Sequence, residues 1–393
     1  MARKFYRPLV AGVLLAAVLA VADAAYSGTG EHTVTGCPAG SQSCILAAPD
    51  PSAGNQLPGL TTSRPAIGSA TSSASASATP SGSAHPSSSS AAHNSASSGG
   101  ATGGGSGSGA GSGGSGGGSP VSSGPCSSPG ACGFPDASST GPRVSMAAHN
   151  TGALSINNDG TTISGWDITG SLDIYANNVT IIDSRITSTN WWGINLRSGY
   201  HGLRVLHSTI TAVPGKGPDN GGEDYAVSNM GDSSVEVGWS NISIYGNALS
   251  MGQGNLHDNY VHDITPFRNQ GGEWQHADAL ISDGGNSGSL TIRHNTLLNP
   301  VGVDQGASAS VGLFADTGTV SNATVDGNYL AGGAYALYCG GAGSTNIRIT
   351  NNVFSSQYHS NSGVYGAVTA WNAGGAGNVW SNNRMSDGTP VSP

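Results

Sequence analysis

From residue 163 onward, apolar residues recur in pairs whose two members are five positions apart. Nine units carry the pair, at intervals of 18 to 36 residues: Ile163/Ile168, Ile181/Ile186, Val205/Ile210, Val237/Ile242, Leu256/Val261, Ile292/Leu297, Val325/Leu330, Ile349/Phe354 and Trp380/Met385. Several units have a further apolar residue two positions before the pair, as in Leu203-Arg204-Val205. Such alternation predicts strands. Self-similarity at this period is typical of a solenoid.

A third strand is predicted ahead of each pair. Its mark is a small residue followed by an apolar one that we expect to point inward: Gly193-Ile194, Ala226-Val227, Ala248-Leu249, Ala279-Leu280, Gly312-Leu313, Ala336-Leu337 and Ala367-Val368. Each unit therefore predicts three short strands, and loops of variable length separate the units.

Asn occupies one turn position, three residues after the first member of the pair, in five consecutive units: Asn259, Asn295, Asn328, Asn352 and Asn383. The units before them have Ser184, Ser208 and Ser240 there. Asn tolerates the left-handed backbone of a sharp turn, and its amide can bond to the same residue in the next coil. The pattern predicts an all-β fold, a right-handed parallel β-helix of about nine coils with an Asn ladder. The alternative is a β-sandwich with unrelated Asn turns, which the constant spacing disfavours.

Residues 140–393 resemble the pectate-lyase-like superfamily. Its Asn ladder lies at the tight turn between the strands that the superfamily counts as second and third, which correspond to the two strands of each apolar pair here. Segments that resemble a group of secreted bacterial β-helix proteins are Gly133-Phe134-Pro135-Asp136, Asn178-Val179-Thr180-Ile181 and Arg293-His294-Asn295-Thr296. The resemblance implies a polysaccharide groove lined by the predicted third strand and the long loops. It selects no reaction, because lyases, hydrolases, epimerases and phage adhesins share the fold.

The N-terminal third of the chain has a different organisation. Basic residues precede an apolar stretch over 9–22, and Ala22-Asp23-Ala24 offers a cleavage site, so residues 1–24 are interpreted as a secretory signal peptide. Residues 25–64 form a short Cys-containing segment. Residues 65–125 are rich in Ser, Gly and Ala without a charged side chain, which predicts a flexible linker. The β-helix domain is expected over 126–393.

Composition narrows the partners and the compartment. The 393 residues include 13 basic and 22 acidic ones, and the net charge of -9 argues against a nucleic-acid partner. After the N-terminus no apolar run approaches the ~20 residues of a membrane helix. Export fits the cysteines, because Cys37/Cys44 and Cys126/Cys132 could each close a small loop, leaving Cys339 as a buried thiol. We expect a secreted, extracellular monomer that the linker could hold near the cell wall.

Loop length indicates which edge is functional. The tight turn stays short in every unit, whereas the insertions fall ahead of the next third strand: 213–222, 264–275, 299–308 and 355–363. Stacked coils ~4.8 Å apart would present a long ruled surface there, which suits a polymer ligand such as a polysaccharide.

The candidate catalytic residues follow these loops. His276 and Asp278 come directly after the 264–275 loop, and Glu223 and Asp224 stand at the same register two coils earlier, with Tyr245-Gly246-Asn247 between them. Two strand spacings place the groups roughly 10 Å apart. A His and carboxylates on one cleft can do acid–base work. His276-x-Asp278 also resembles a His-x-Asp-Gly motif of the same β-helix group, with Ala279 in place of the Gly. Asp278 reaches the groove only if the chain bends there. The alternative to a catalytic role is a buried His–Asp pair that stabilises the bend.

The remaining candidates are substrate-binding or metal-binding residues. Glu223, Tyr245 and Asn247 lie in the same register as the catalytic candidates. Arg268 and Lys216 could neutralise a uronate carboxylate, and Phe314 and Tyr338, on the outward phase, could stack on sugar rings. Carboxylates at positions 223, 224 and 278 could hold Ca²⁺, which takes several oxygen ligands.

Three functions follow, and the first is favoured. A polysaccharide lyase acting on a uronate-containing glycan would use His276 as base, with Arg268, Lys216 or Ca²⁺ as neutraliser. A glycoside hydrolase would use Asp224 and Asp278 as its two carboxyls. The Asp-Asp and Gly-His-Gly signatures of hydrolases on this fold, and the Asp-Pro-His-Asp of C5-epimerases, are absent from the sequence. The third function is a non-catalytic glycan-binding or adhesin module.

Overall fold

The computed structural model describes residues 125–229 and 233–393. The predicted signal peptide, Cys-containing segment and linker lie outside the described residues, apart from residue 125, and so does the Cys37/Cys44 pair. Within the described part the chain is a right-handed parallel β-helix, as predicted. Its strands form three faces, in sheets of 17 and nine strands.

The first face is the nine-stranded sheet, and it carries the first member of every predicted pair. Its strands are β2 (Thr162–Ser164), β4 (Thr180–Ile182), β7 (Arg204–Leu206), β10 (Val235–Gly238), β13 (Gly254–His257), β16 (Leu290–Arg293), β19 (Ala323–Asp326), β22 (Arg348–Thr350) and β25 (Val379–Ser381). Ile163 pairs with Ile181, Ile181 with Val205, and the register continues unbroken to Trp380.

The second face carries the other member of each pair. Its strands are β5 (Arg185–Ser188), β8 (Thr209–Ala212), β11 (Asn241–Ser243), β14 (Tyr260–His262), β17 (Thr296–Asn299), β20 (Tyr329–Gly332), β23 (Val353–Phe354) and β26 (Arg384–Met385). Ile186 pairs with Ile210 and Ile210 with Ile242, and the same register continues to Met385. The nine predicted pairs are therefore confirmed.

The third face holds the predicted third strands: β6 (Trp192–Leu196), β9 (Tyr225–Asn229), β12 (Asn247–Ser250), β15 (Ala277–Ser282), β18 (Ala307–Leu313), β21 (Tyr335–Cys339) and β24 (Gly366–Thr369). In the first coils β1 (Ala147–Ile156) and β3 (Trp166–Ile174) run continuously from the second face onto the third, so β3 pairs with both β5 and β6. Two three-residue 3-10 helices, Gly130–Cys132 and Val303–Gln305, complete the described elements.

One predicted position on the third face is wrong by two residues. Leu280 pairs with Val311, and Val311 pairs with Leu337, so Val311 rather than Leu313 stands in the inward row. Leu313 is also buried, and it pairs with Ser282 in the following inward row.

Strands of the third face bend at the small residue, and the bend decides which side chains face out. Ala248 and Leu249, although adjacent, are both fully buried in the main core, as are Ala279 and Leu280. Two successive inward residues reverse the alternation, so the residues before and after them face outward. Gly193 shows why the position stays small: a Cβ there would lie 2.7 Å from Ile210 Cγ2 and 2.7 Å from the Tyr245 hydroxyl.

The Asn ladder is present at the tight turn between the first and second faces. Asn259 Nδ2 donates to Asn295 Oδ1 at 2.9 Å, Asn295 Nδ2 to Asn328 Oδ1 at 3.0 Å, and the series continues through Asn352 to Asn383. Each ladder backbone N–H also donates to the next Oδ1. In the earlier coils a Ser hydroxyl oxygen takes the place of the Asn Oδ1 as acceptor: the Ser208 N–H donates to Ser240 Oγ.

The sequence predicts the left-handed backbone conformation at the ladder Asn. That prediction is wrong, because the residue before the ladder Asn adopts it. Positive φ angles belong to the first turn residue of successive coils: Asp183, His207, Trp239, Asp258, His294, Gly327, Asn351 and Asn382. The ladder residue itself stays in ordinary backbone conformation, since its side chain must point inward to stack.

A segment ahead of the first coil runs along the whole tight-turn edge; we call residues 126–146 the strap. The Cys126 N–H donates to Ser386 O beside the last coil, and the Gly141 N–H donates to Trp239 O midway. Arg143 then makes two charged hydrogen bonds of 2.8 Å to Asp183 near the first coil. Coils of a solenoid contact only their neighbours, so the strap links coils that otherwise do not touch.

The strap is anchored by an apolar cluster on the outer surface of the second face. Phe134, 3% exposed, packs there with Leu298 and Tyr329 beside the Cys126–Cys132 disulfide, whose predicted pairing is confirmed. Cys339 is a buried free thiol, also as predicted, and burial raises its pKa. Neither helix of the described residues is long and apolar enough to cross a membrane.

Truncating the anchor should destabilise the whole solenoid. Phe134→Ala removes a buried aromatic ring, and we expect a loss of about 3 kcal/mol in the free energy of unfolding, measured by urea denaturation. Val144→Ala, at a strap residue that is 51% exposed, is the matched control and should change stability by less than about 0.5 kcal/mol. Equal effects of the two substitutions would contradict the assigned role of the strap.

Candidate functional site

Two rows of polar side chains line the outer surface of the third face, which we call the groove surface. One row is in register through Asp173, Asn195, Ser228 and Ser250. The other contains Trp192, Tyr225, Asn247 and Asp278. Tyr225 pairs with Asn247 and Asn247 with Asp278, which confirms the predicted two-coil offset between positions 225 and 278.

Several buried polar atoms on this surface lack a hydrogen bond of standard geometry. They include both amide atoms of Asn247 and Oδ1 of Asp283, whereas the Asp278 carboxyl has the Ala309 N–H and the Ser308 side chain as neighbours. An unpaired buried polar group costs ~1–3 kcal/mol. Such atoms are few in most proteins, and each calls for an explanation such as a bound water or ligand. Their concentration on adjacent strands indicates a surface that is completed by polar molecules.

Three carboxyls lie along β15 and β18 and influence one another electrostatically. Asp278 stands at the start of β15, Asp283 follows its end, and Asp316 follows the end of β18; we call them the carboxyl trio. Burial raises the pKa of Asp278 well above its usual range, and repulsion from Asp283 and Asp316 adds to it. Burial, with repulsion from Asp316, raises the pKa of Asp283 to about 7, and burial raises that of Asp316 to about 6. Near neutral pH the trio therefore holds protonated and ionised carboxyls together.

Asp224 lies two strands away, below the 264–275 loop. Gln275 Nε2 donates to its Oδ1 at 2.8 Å, and burial raises its pKa to about 7. The loop itself packs on the 213–222 loop, where the Gln270 N–H donates to Asp219 Oδ1 at 2.6 Å. Two strand spacings separate the backbone at Asp224 from that at Asp278 by roughly 10 Å.

Glu223 and Tyr245 lie beneath the groove surface rather than on it. Tyr245 is fully buried in the main core, and its hydroxyl donates to Thr211 O at 3.0 Å. Glu223 is 3% exposed, close enough to raise the pKa of Tyr245, and burial raises its own pKa to about 8. The binding role expected of Glu223 and Tyr245 stays a prediction, since both side chains are buried, as are those of Asn247 and Asp278.

His276 and Asp278 do not form the pair that the sequence suggested. In the described part of the chain His276 has no ion pair or hydrogen bond with Asp278, and its charged neighbour is Glu273. The register shifts between Ala277 and Asp278, and Asp278 turns toward Ser308 and Ala309. Burial lowers the pKa of His276, which leaves its imidazole neutral at pH 7.

The two predicted loop cations lie on the solvent-exposed surface of their loops. Arg268 is exposed, with its guanidinium 4.5 Å from the Trp274 ring centroid and its Nη1 donating to Gly272 O. Lys216 is exposed at the tip of its loop. Among the described residues no group of three or more His, Cys, Asp or Glu side chains could hold a metal ion. The three carboxylates suggested for Ca²⁺ are accordingly not gathered at one point.

An aromatic patch continues the groove surface beyond the trio. Phe314 and Tyr338 contact each other with ring centroids 4.9 Å apart, and Tyr335 lies 5.6 Å from Tyr338. Tyr365, 54% exposed, extends the patch 5.8 Å further. Phe314 is largely buried against Ile281, so Tyr335, Tyr338 and Tyr365 offer more ring surface to a ligand.

The opposite end of the groove surface carries a neutralised cation. Arg197 forms a 2.8 Å ion pair with Asp173, and both side chains are 12% exposed. Its guanidinium also lies 4.5 Å from the Trp192 ring centroid. Asp283, Asp316, Arg197 and Tyr365 were not identified from the sequence. Asp directly after a strand looks like an ordinary turn residue, and the available signal was its recurrence after β15 and β18.

Replacing Asp224 by Asn should raise the free energy of unfolding, and this gain over the unsubstituted chain should grow as the pH rises. The pKa of Asp224 is raised, so between pH ~4 and ~7 the folded state keeps a proton that the unfolded chain loses. The unsubstituted protein therefore loses stability as the pH rises through this range. A pKa of about 7 against the usual 3.8 corresponds to about 4 kcal/mol at pH 8. Urea denaturation should show a gain for Asp224→Asn at pH 8 and almost none at pH 4, with exposed Asp304→Asn as control. An equal gain at both pH values would contradict the assigned burial.

Comparison with known proteins finds no match: no family model, no curated protein and no solved structure is significantly similar to the chain.

Proposed function

We propose that the chain is a secreted, carbohydrate-active protein that binds a polysaccharide along the groove surface and hydrolyses it with the carboxyl trio. The observation that carries the proposal is the trio itself: one fully buried carboxyl and two partly buried ones, all with raised pKa values, with Asp278 in one row with the buried amide of Asn247. Glycoside hydrolysis needs one protonated and one ionised carboxyl at the same pH. Environments that push carboxyl pKa values apart supply that pair.

The roles within the trio follow from how deeply each carboxyl is buried. Asp278 has the more strongly raised pKa and is the general acid that protonates the leaving oxygen. Asp316, partly exposed where Asp278 is fully buried, is the carboxyl that we assign as the ionised base or nucleophile. Asp283 adds to the raised pKa of Asp278, and Asp316 adds to that of Asp283.

The polar rows and the aromatic patch suit a sugar polymer. Carbohydrates present hydroxyls at their edges and apolar C–H surfaces on their ring faces. Asn247 can hydrogen-bond to hydroxyls, and Tyr338 and Tyr335 can stack on ring faces. The resemblance to the pectate-lyase-like superfamily supports a polysaccharide ligand in the same direction, as an analogy at the level of the fold.

Electrostatics favours a neutral glycan over the uronate expected from the sequence. A β-eliminating lyase needs a cation beside the uronate carboxylate, but Arg197 is already paired with Asp173, and Arg268 and Lys216 lie on exposed loops. Placing a further carboxylate beside the trio would add repulsion between like charges. We therefore propose hydrolysis of a neutral polysaccharide in place of lyase chemistry.

A panel of polysaccharides incubated with the full chain tests the proposal. Neutral glycans (xylan, galactan, arabinan, β-glucan) and uronates (polygalacturonate, alginate) would be followed for reducing ends and for ultraviolet absorbance of unsaturated ends. We expect reducing ends from a neutral glycan without absorbance. Absorbance rising with a uronate would identify a lyase that uses neutral His276 as base. Retention of a glycan without cleavage would identify a binding module.

A further inference from the structure

A second cluster of charged side chains lies on the tight-turn edge, remote from the groove surface. It runs through Arg204, Glu236, His257, Asp258 and His294, which belong to four consecutive coils. Arg204 Nε donates to Glu236 Oε2 at 2.6 Å, and His257 contacts Glu236 Oε1 at 3.3 Å and Asp258 Oδ2 at 2.9 Å. His294 Nδ1 lies 2.6 Å from Asp258 Oδ1.

The last member of this cluster holds the strap. His294 Nε2 lies 2.8 Å from Gly133 O, and the Phe134 ring stacks on the imidazole with centroids 5.8 Å apart. The neighbouring Thr296 hydroxyl donates to Pro135 O at 2.6 Å. His294 is thus an ionisable side chain that joins the solenoid to the strap, in addition to the Arg143–Asp183 ion pair.

Hydrogen-bond chemistry fixes the protonation of His294 in the docked state. A carbonyl oxygen only accepts, so Nε2 must carry a proton to bond to Gly133 O. Nδ1 faces a carboxylate, which also only accepts, so Nδ1 must carry a proton too. A neutral imidazole has only one N–H, so it can bond to either Asp258 or Gly133 but not to both. Its other ring nitrogen then turns a lone pair toward the remaining oxygen, which is repulsive.

We propose that His294 is a proton-dependent latch: the strap is docked while both ring nitrogens carry protons, and it loosens when His294 loses one of them. A cavity of about 350 Å³ between the strap and the edge, lined by Asp136, Trp239, Asp258 and His294, gives solvent access to the ring. Titration does not require the strap to open first.

The surrounding charges support this direction. The Asp258 carboxylate raises the pKa of His294, against smaller opposing effects of burial and of Arg293. The other titratable groups facing the latch are Asp136 on the strap side and, on the solenoid side, His257, Glu236, Arg204 and His207. The hydrogen bonds of His257 and His294 hold the pKa of Asp258 at about 2, so this carboxylate stays ionised throughout the relevant range.

The sign of the pH dependence follows. A His whose pKa is raised in the docked state contributes docking energy below its ordinary value of ~6.5 and loses it as pH rises through the docked value. Asp258, with a lowered pKa, contributes above ~3.8 and loses its contribution only in stronger acid. The strap is therefore held most tightly in mildly acidic solution and loosens in alkaline solution.

Hydrogen exchange of the strap in the full chain tests the latch. Peptides covering 126–141 report the Cys126 and Gly141 amides, which donate to the solenoid. Protection factors, corrected for intrinsic exchange rates, should fall by about tenfold or more between pH 6 and pH 9. His294→Gln keeps a side-chain N–H for Gly133 O but cannot titrate, and its protection should be the same at both pH values. His201→Gln, at an exposed histidine near the first coils, should behave like the unsubstituted chain.

Two outcomes would overturn the latch: equal protection at pH 6 and pH 9 in the unsubstituted chain, or an unchanged pH dependence in His294→Gln. Asp258→Asn provides a second variant if His294→Gln does not fold. It retains an oxygen for Nδ1–H but removes the charge, so the fall in protection should move to lower pH. A transition that stays at the same pH in Asp258→Asn would also exclude the latch.

Discussion

Asp278→Asn will lower the rate of polysaccharide cleavage by about 10²–10⁴-fold, the contribution of a well-placed general acid. Asn is close in shape to a protonated carboxyl but cannot give up a proton to the leaving oxygen. Asp278 is fully buried with a raised pKa, so removing the ionisable group should also stabilise the fold at neutral pH. Loss of activity in a protein that is more stable than its parent cannot be attributed to unfolding.

Initial rates of reducing-end release and thermal unfolding of the same samples measure both effects. Asp167→Asn is the matched control, because Asp167 pairs with Arg185 on the second face, away from the groove surface, and is partly exposed. It should retain full activity. Unimpaired cleavage by Asp278→Asn would remove the carboxyl trio from the mechanism.

The largest loss of stability is expected at the centre of the Asn ladder. Asn328 is fully buried; its Nδ2 donates to Ile292 O and Asn352 Oδ1, and its Oδ1 accepts from the N–H and Nδ2 of Asn295. Asn328→Ala would leave the Asn295 N–H and Ile292 O buried without partners. At ~1–3 kcal/mol for each group, we expect a loss of about 4 kcal/mol in the free energy of unfolding.

Urea denaturation of two further variants separates the ladder from a general Asn effect. Asn328→Ser should lose less than Asn328→Ala, because Ser208 and Ser240 already fill this position in earlier coils. Asn255→Ala, at an exposed position of β13, should change stability by less than about 0.5 kcal/mol. If Asn328→Ala is as mild as Asn255→Ala, the ladder does not stabilise the solenoid.

Two faces of the solenoid could be predicted residue by residue, and the third could not. Ile163 and Ile168 lie on flat strands separated by a short turn, so a constant sequence spacing translates directly into a constant register. On the third face the bend turns two successive residues inward. The alternation of inward and outward side chains is lost there. The sequence therefore predicts Leu313 in the inward row that Val311 occupies.

The register of the candidate site residues along the solenoid was predicted correctly, but the directions of their side chains were not. Loop lengths led to β9, β12 and β15, yet the register shift at Ala277 turns Asp278 away from His276. Tyr245 had been expected at the surface, whereas the bend places it in the core. Sequence spacing fixes where a backbone lies along the solenoid, whereas local bulges fix where its side chains point.

The strap could not be read from the sequence because its contacts are long-range and follow no period. Gly133 meets His294, 161 residues later, and Arg143 meets Asp183 across 40 residues. Phe134 and His294 belong to two of the segments that resemble the secreted bacterial β-helix group. Only the folded chain shows that these two segments are in contact.

The most direct test of the central claim is a structure of Asp278→Asn, which should bind without cleaving, with a neutral oligosaccharide derived from the glycan that the unsubstituted chain hydrolyses. The claim predicts sugar rings on the groove surface, with hydroxyls hydrogen-bonded to Asn247, a glycosidic oxygen beside residue 278 and a ring stacked on Tyr338. An oligosaccharide bound on another face, or none bound at saturating concentration, would contradict it.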